Sequence, residues 1–136
     1  MLQEKKIPRG IRNNNPLNIR IGNVWLGERP NPTDRTFEEF VTMAYGLRAA
    51  FIILRRYIKR YQLNTIAKII PRWSPDGEEK ERAYIEVVCH RSGHAADTPL
   101  TYENKATMVA LVEAMAYVEC GVPISRTQIE NAYEIA

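Results

Sequence analysis

Two adjacent glutamates, Glu38 and Glu39, lie in the segment Thr36-Phe-Glu-Glu-Phe-Val41, and a third candidate, Glu78, follows the turn Pro75-Asp-Gly77. Carboxyl groups set this way are the equipment of glycosidic-bond cleavage. One with a raised pKa protonates the leaving oxygen, while a second carboxylate or a positioned water assists. On an extended strand, neighbouring side chains point to opposite faces, so only one of Glu38 and Glu39 can face a cleft. Thr36, Glu38 and Phe40 share one face; Phe37 and Glu39 share the other. With a phenylalanine on each side, one glutamate is placed for the partial desolvation that raises a carboxyl pKa. The same pattern suits a solvated charge guarding a strand edge. Glu78, at the start of a helix, fits either a catalytic role or a favourable interaction with the helix dipole.

A second set of residues could hold a sugar. Asn13, Asn14, Asn15 and Asn18 can both donate to and accept from hydroxyl and acetamido groups, and Trp25, Tyr45 and Trp73 offer flat faces for stacking. Against this stands a structural use for each: asparagines folding their own loop, and aromatics filling the core. Arg48, one helical turn from Tyr45, is placed to hold backbone carbonyls of the loop or to meet a ligand.

Other chemistries find less. His90-Arg-Ser-Gly-His94 has two imidazoles, but Gly93 is expected to stop the helix between them, no HExxH glutamate is present, and Cys89 and Cys120 lack finger spacing. No metal and no cofactor is expected, and the cysteines read as buried free thiols. No Gly-rich phosphate loop and no Ser-His-Asp motif occurs. Arg55, Arg56, Lys59 and Arg60 form a basic cluster. Without a recognition module around it, the cluster reads as a solvated helical face more than a nucleic-acid interface.

Positioning these side chains falls to 136 residues, 45% hydrophobic and 26% charged, enough for a single domain with its own core. The net charge of +3 hides an asymmetry. Through Arg60 the balance is +7, and from Tyr61 onward it is −4. The beginning of the chain is basic without the apolar run of a signal peptide, and no apolar run reaches the length of a membrane span; synthesis in the cytoplasm without export is expected.

Residues 1–41 read as loop and a short hairpin, rich in Asn, Pro and Gly, with Leu17-Asn-Ile-Arg-Ile21 and Thr36–Val41 as its strands. Residues 42–136 read as a helical core. Leu47, Phe51, Leu54, Ile58 and Tyr61 form one apolar face on a helix from about Met43 to Tyr61. Asn64 or Thr65 caps a short helix through Ile66, Ile69 and Ile70 that Pro71 limits. Asp76-Gly-Glu-Glu79 has capping-box spacing for a helix through Tyr84, Val87, Val88 and Arg91, stopped at Gly93. A helix from about Tyr102 to Cys120 carries Met108, Leu111, Met115 and Val118. Ser125 with Gln128 begins the last helix, docked by Ile129 and Tyr133. The expected fold is mainly α with a small β hairpin near the N-terminus, the layout of lysozyme-like α+β domains.

Several of these segments form a longer pattern: Arg9-Gly-Ile-Arg-Asn-Asn-Asn-Pro-Leu-Asn-Ile-Arg20, Trp25-Leu-Gly27, Phe37-Glu-Glu-Phe40, Tyr45-Gly-Leu-Arg-Ala49 and Arg72-Trp-Ser-Pro75. The chain resembles a family of phage and prophage virion proteins, often labelled structural proteins, with the pattern RGIRNNNPxNIR, WxG, FxxF, YGxRA and RWxPxxEN. The likeness runs nearly end to end, through Tyr84-Ile85, Thr98-Pro-Leu100 and Glu119-Cys-Gly121. It departs at Leu17, where that family has Gly, and at Glu79, where it has Asn. Leu17 implies that a left-handed backbone is not needed there. A weaker similarity, in Asn14-Asn-Pro-Leu-Asn-Ile-Arg20 followed by Trp25 and Gly27, is to flagellar-type glucosaminidases of the lysozyme-like superfamily. Those enzymes carry their acid on a helix before the NN pair. Here only twelve residues precede Asn13, with Glu4 the sole carboxylate among them, so that acid has no counterpart.

The resemblance implies association with a virion, with other virion proteins or bacterial peptidoglycan as partners. Three functions follow as expectations: a virion component or cell-wall glycan binder; a muramidase or lytic transglycosylase using Glu38, Glu39 or Glu78; and a basic nucleic-acid-binding module.

Overall fold

The structure, a computed structural model, describes residues 6–136; Glu4 and most of the basic beginning of the chain lie outside the described residues. Six helices follow in order: α1 (Arg9–Arg12), α2 (Met43–Lys59), α3 (Ile66–Trp73), α4 (Glu78–Ser92), α5 (Lys105–Cys120) and α6 (Arg126–Ile135).

Their starts follow from short polar side chains that satisfy the first free backbone N–H groups. Thr42 Oγ1 accepts from Tyr45 N, Thr65 Oγ1 from Lys68 N, Asn104 Oδ1 from Thr107 N, and Ser125 Oγ from Gln128 N. Asn104 therefore starts α5 two residues after the expected Tyr102. The capping box expected at Asp76–Glu79 is not formed. Gly77 is the N-cap, its N–H donates to Glu81 Oε2 at 3.1 Å, and Asp76 receives the Ser74 hydroxyl instead. Gly93 stops α4 as expected, and Gly121, in the left-handed conformation, ends α5 after Cys120. Pro71 does not stop α3. The Ile70 carbonyl still receives the N–H of Ser74, and Trp73 is anchored by its indole N–H to the Leu17 carbonyl at 3.1 Å, which holds the last turn in place.

The β hairpin and the α+β class expected from it are corrected. Among the described residues the extended segments meet only in two isolated antiparallel bridges, Arg20 with Phe37 and Glu28 with Phe40. Asn18 has φ 52, which breaks the run Leu17–Ile21 and prevents continuous pairing. Leu17 itself keeps an ordinary backbone and is fully buried, as its departure from the glycine pattern implied. Thr36–Val41 is extended, but its partners change along its length. Thr36 and Glu38 bond to Ile21 and Ile19, Glu39 and Val41 to Arg29 and Gly27, and Phe40 N donates to the Asn13 carbonyl. One short extended segment thus gathers three loops.

α5 is apolar around most of its circumference, the pattern of a helix enclosed by others. Met108, Val109, Leu111, Val112, Ala114, Met115 and Ala116 are all buried, against α4, α6, α2 and α1. α2 adds Leu47, Ala50, Phe51 and Leu54, and α6 adds Ile129 and Ala132. The Phe51 ring meets Tyr133 edge-on at 5.4 Å, and Tyr133 stacks on Tyr102 at the same distance. The apolar face predicted for α2 is buried up to Leu54; Tyr61, beyond its end, is half exposed. No described helix is long and apolar enough to cross a membrane.

The loop region sits on this bundle at near-contact distance. A Cβ on Gly46 would lie 1.8 Å from the Asn14 carbonyl oxygen, so only glycine lets the start of α2 approach the Asn-rich loop. At Gly27, φ is 84 and a Cβ would fall 2.2 Å from the Tyr45 ring. The WxG and YGxRA segments are therefore the two sides of one close contact.

Candidate functional site

The asparagines serve the loop. Asn15, fully buried, donates from Nδ2 to the carbonyls of Ile19 (2.9 Å) and Glu38 (3.0 Å) and accepts the Ile19 N–H on Oδ1. It thereby takes ladder positions that a hairpin would have filled with backbone. Asn14, at φ 52, donates to the Phe40 carbonyl. Buried Asn13 donates to Asp34. Asp34 is the knot of this region: Arg9 binds both its oxygens at 2.6 Å, and Oδ1 also accepts from Thr36 N and Phe37 N. The Arg9 guanidinium and these N–H groups hold the Asp34 carboxyl well below the usual carboxylate range. All four asparagines expected to meet a glycan make internal bonds, Asn18 with Glu119 at the end of α5.

Both glutamates of the extended segment are buried, against the expectation that only one would leave solvent. Loops cover both of its faces. Glu39 accepts from the N–H groups of Asp34 and Thr33 on Oε2 and pairs with Arg29 through Oε1 at 3.0 Å; these bonds lower its pKa. Such a carboxylate stays ionised and is unsuited to donate a proton. Glu38 is the opposite case. Burial first, then the neighbouring Glu28 carboxyl, push it up to about 7. Its Oε2 is buried and receives no N–H or hydroxyl, so nothing in the fold favours its ionised form. Glu38 lines none of the clefts described below. Glu78 stands exposed in the first turn of α4 with Glu79 and Glu81, where the helix dipole favours all three.

A carboxyl group does lie at a cleft wall, but from a residue that the sequence did not single out for chemistry. Glu119, near the end of α5, accepts from Asn18 Nδ2 on Oε1 and from the Tyr84 hydroxyl on Oε2, both at 2.9 Å. Burial raises its pKa despite those bonds. An acid in the last turn of a helix opposes the dipole, which is the sequence signal that Glu119 has a specific partner. Beside it runs a cleft of about 160 Å³ where Asn18, Arg20, Trp73 and Asp76 also stand. This cleft shares Asn18, Arg20 and Trp73 with a larger one of about 330 Å³, whose wall also holds Arg56, Arg72 and Tyr57.

The remaining expected site residues are dispersed. Trp73 lines both clefts, edge-on to Tyr57 at 6.0 Å. Trp25 is buried in the core and Tyr45 packs against Gly27. Arg48 does meet a backbone carbonyl, but that of Ile135 at the end of α6 rather than one in the loop. His90 lies in α4 and His94 beyond its end; Cys120 is buried, its thiol pushed up to about 11 by burial and donating to the Pro16 carbonyl, and Cys89 is half-buried. The basic cluster of α2 is divided: Arg55 lies over the Tyr102 ring, Lys59 pairs with Glu103, Arg60 lies over Tyr61, and Arg56 alone turns into the cleft.

No protein-family model matches the chain. It is similar to Protein P5 of Pseudoalteromonas phage PM2, with 39% identity over 137 aligned residues that cover 97% of this chain and 84% of the relative. Identity at that level across nearly the whole length places the clefts and the loop knot within the shared region. The chain belongs to the phage protein family of Protein P5.

Proposed function

We propose that this protein is a structural component of a phage virion, in contact with other virion proteins. The observation that carries the reading is the end-to-end similarity to Protein P5 of phage PM2. The loop geometry supports it. Side chains that would grip a glycan, Asn13, Asn15 and Trp25, are spent inside the fold, and Glu39 is neutralised by Arg29. The loop side meanwhile exposes the aliphatic residues Ile21, Val24, Leu26 and Val41, a surface of the kind that protein contacts cover. Mass spectrometry of purified, salt-washed particles of the encoding phage should find the chain at a fixed ratio to the main capsid protein. Presence in the lysate with absence from particles would sink the reading.

Cell-wall glycan binding keeps one point of support: Asn18 and Trp73 remain together at a cleft wall, with Glu119 as a carboxyl of raised pKa in place of Glu38, Glu39 or Glu78. Retention on purified peptidoglycan, and clearing in a zymogram lost in Glu119→Gln, are what this second reading requires.

A further inference from the structure

The larger cleft carries a charge pattern that membership of a virion does not explain. Arg20, Arg56 and Arg72 line it, and no carboxylate shares its wall. Among the described residues none of the three forms an ion pair, whereas Arg9, Arg29, Lys59, Lys105 and Arg126 all do. Three guanidinium groups come from three separate segments: Arg20 from the loop, Arg56 from α2, and Arg72 from α3. Their convergence is a product of the fold rather than of local sequence. Between them stand flat rings. Tyr61 is 52% exposed, with Arg60 over one face at 5.7 Å, and the half-buried Tyr57 and Trp73 also line the cleft. Asp76 and Glu119 line the adjoining smaller cleft, whose wall Arg20 also shares while lying over the Phe37 ring at 5.4 Å; Glu119 there is bonded to Asn18 and Tyr84.

Arginines without ion pairs gathered around an exposed aromatic ring are the arrangement that tracks a phosphodiester backbone while a base stacks. We infer that this cleft binds single-stranded nucleic acid, with Arg20, Arg56 and Arg72 on successive phosphates and a base on Tyr61. A cleft of about 330 Å³ has room for one unpaired base with its sugar, while the neighbouring phosphates run along the exposed arginines at its rim, an arrangement that favours a single strand over a duplex. A neutral sugar would leave the charges of Arg56 and Arg72 unanswered, which is why the observations favour a phosphate chain over a glycan here. The inference goes beyond the virion reading and does not depend on it.

Fluorescence anisotropy with a labelled dT12 strand tests it on the full chain. Binding should weaken with salt with a log–log slope of about −2, as three phosphate contacts on a single strand require. Arg56→Gln and Arg72→Gln should each weaken binding severalfold and flatten the slope by about 0.7. Tyr61→Ala should weaken it without changing the slope, and Arg82→Gln, exposed on α4 outside the cleft, should leave it unaltered. Duplex of equal length should bind more weakly. All four side chains are on the surface, so unchanged circular dichroism and melting will show that the variants fold. The inference is overturned by absence of dT12 binding at 20 mM salt, by binding indifferent to both arginine substitutions, or by equal affinity for the duplex. Peptidoglycan retention lost in Arg56→Gln and Arg72→Gln without any dT12 binding would assign the cleft to a glycan instead.

Discussion

The side-chain amide of Asn18 donates to the Glu119 carboxylate at 2.9 Å, joining the Asn-rich loop to the end of α5 across 101 positions of sequence. Tyr84 of α4 closes the same group from the other side. A loop without regular strands is thus tied to the helical core through one carboxyl, and the residue that makes the tie, Asn18, also makes the left-handed turn that ends pairing with Thr36–Val41.

Removing that carboxyl should cost more than one hydrogen bond. Glu119→Ala leaves the Asn18 amide and the Tyr84 hydroxyl only their long contacts to the backbone carbonyls of residue 119 (3.4 Å) and Met115 (3.5 Å), and a loss of about 1–2 kcal/mol is expected. Glu119→Gln keeps an acceptor and should cost less. In a double-mutant cycle with Asn18→Ala, urea denaturation should give a coupling energy of about 1 kcal/mol. Strict additivity would show that the 2.9 Å contact contributes nothing.

Glu38 makes the stability depend on pH in a definite direction. Its folded pKa of about 7 lies above the unfolded value of roughly 4.3. Between these values the folded state binds the extra proton, so the stabilisation is complete below the unfolded value and is lost as pH rises towards and through 7. Glu38→Gln, which cannot ionise, should therefore gain on the wild type by about 2 kcal/mol between pH 5 and pH 8. Urea melts of both proteins across that range measure the gap. A gap that stays constant would mean that the fold does not hold Glu38 above its unfolded pKa.

The helices were legible because their information is local. Thr65 and Ser125 cap within three residues of themselves, and Met108, Leu111 and Met115 repeat at the helical period. The loop was not, because its bonds are neither local nor periodic. Asn15 reaches Glu38, Arg9 reaches Asp34, and Asn18 reaches Glu119, all by side chain, and no alternation of apolar residues encodes such contacts. Thr36–Val41 does have strand-like alternation, yet both of its faces are covered by loops, so alternation misjudged where Glu38 and Glu39 point. The three-arginine cleft escaped notice for the same reason: Arg20, Arg56 and Arg72 are unremarkable singly and converge only when α2, α3 and the loop are assembled.

Asp34 should behave as the mirror image of Glu38. Its depressed pKa means that its contribution is present above the unfolded value near 4 and is lost as pH falls below it. Asp34→Asn withdraws the charge that Arg9 and two backbone N–H groups answer, at an expected cost of about 2 kcal/mol at pH 7. That cost should shrink between pH 5 and pH 2, as Asp34 of the unfolded chain takes up a proton that the folded carboxylate still refuses. Thermal melts at the two ends of this range suffice, and a cost independent of pH would assign the loss to shape rather than charge.

The closest approach in the fold gives the sharpest steric test. At Gly46 an added methyl would stand 1.8 Å from the Asn14 carbonyl oxygen, which is itself held because Asn14 donates its amide to Phe40. Neither side can give way without moving the start of α2 off the loop. Gly46→Ala is expected to cost more than about 3 kcal/mol even though alanine favours helix, because overpacking against backbone outweighs a propensity gain of about 1 kcal/mol. Gly22→Ala, with no atom within 4 Å of the added methyl, should change stability by less than about 0.5 kcal/mol. If urea denaturation ranks the two substitutions equally, the loop does not rest on α2 as described. If Gly46→Ala alone unfolds the protein, the contact between the Asn-rich loop and the start of α2 is what makes the non-helical third of the chain part of the same cooperative unit as the bundle.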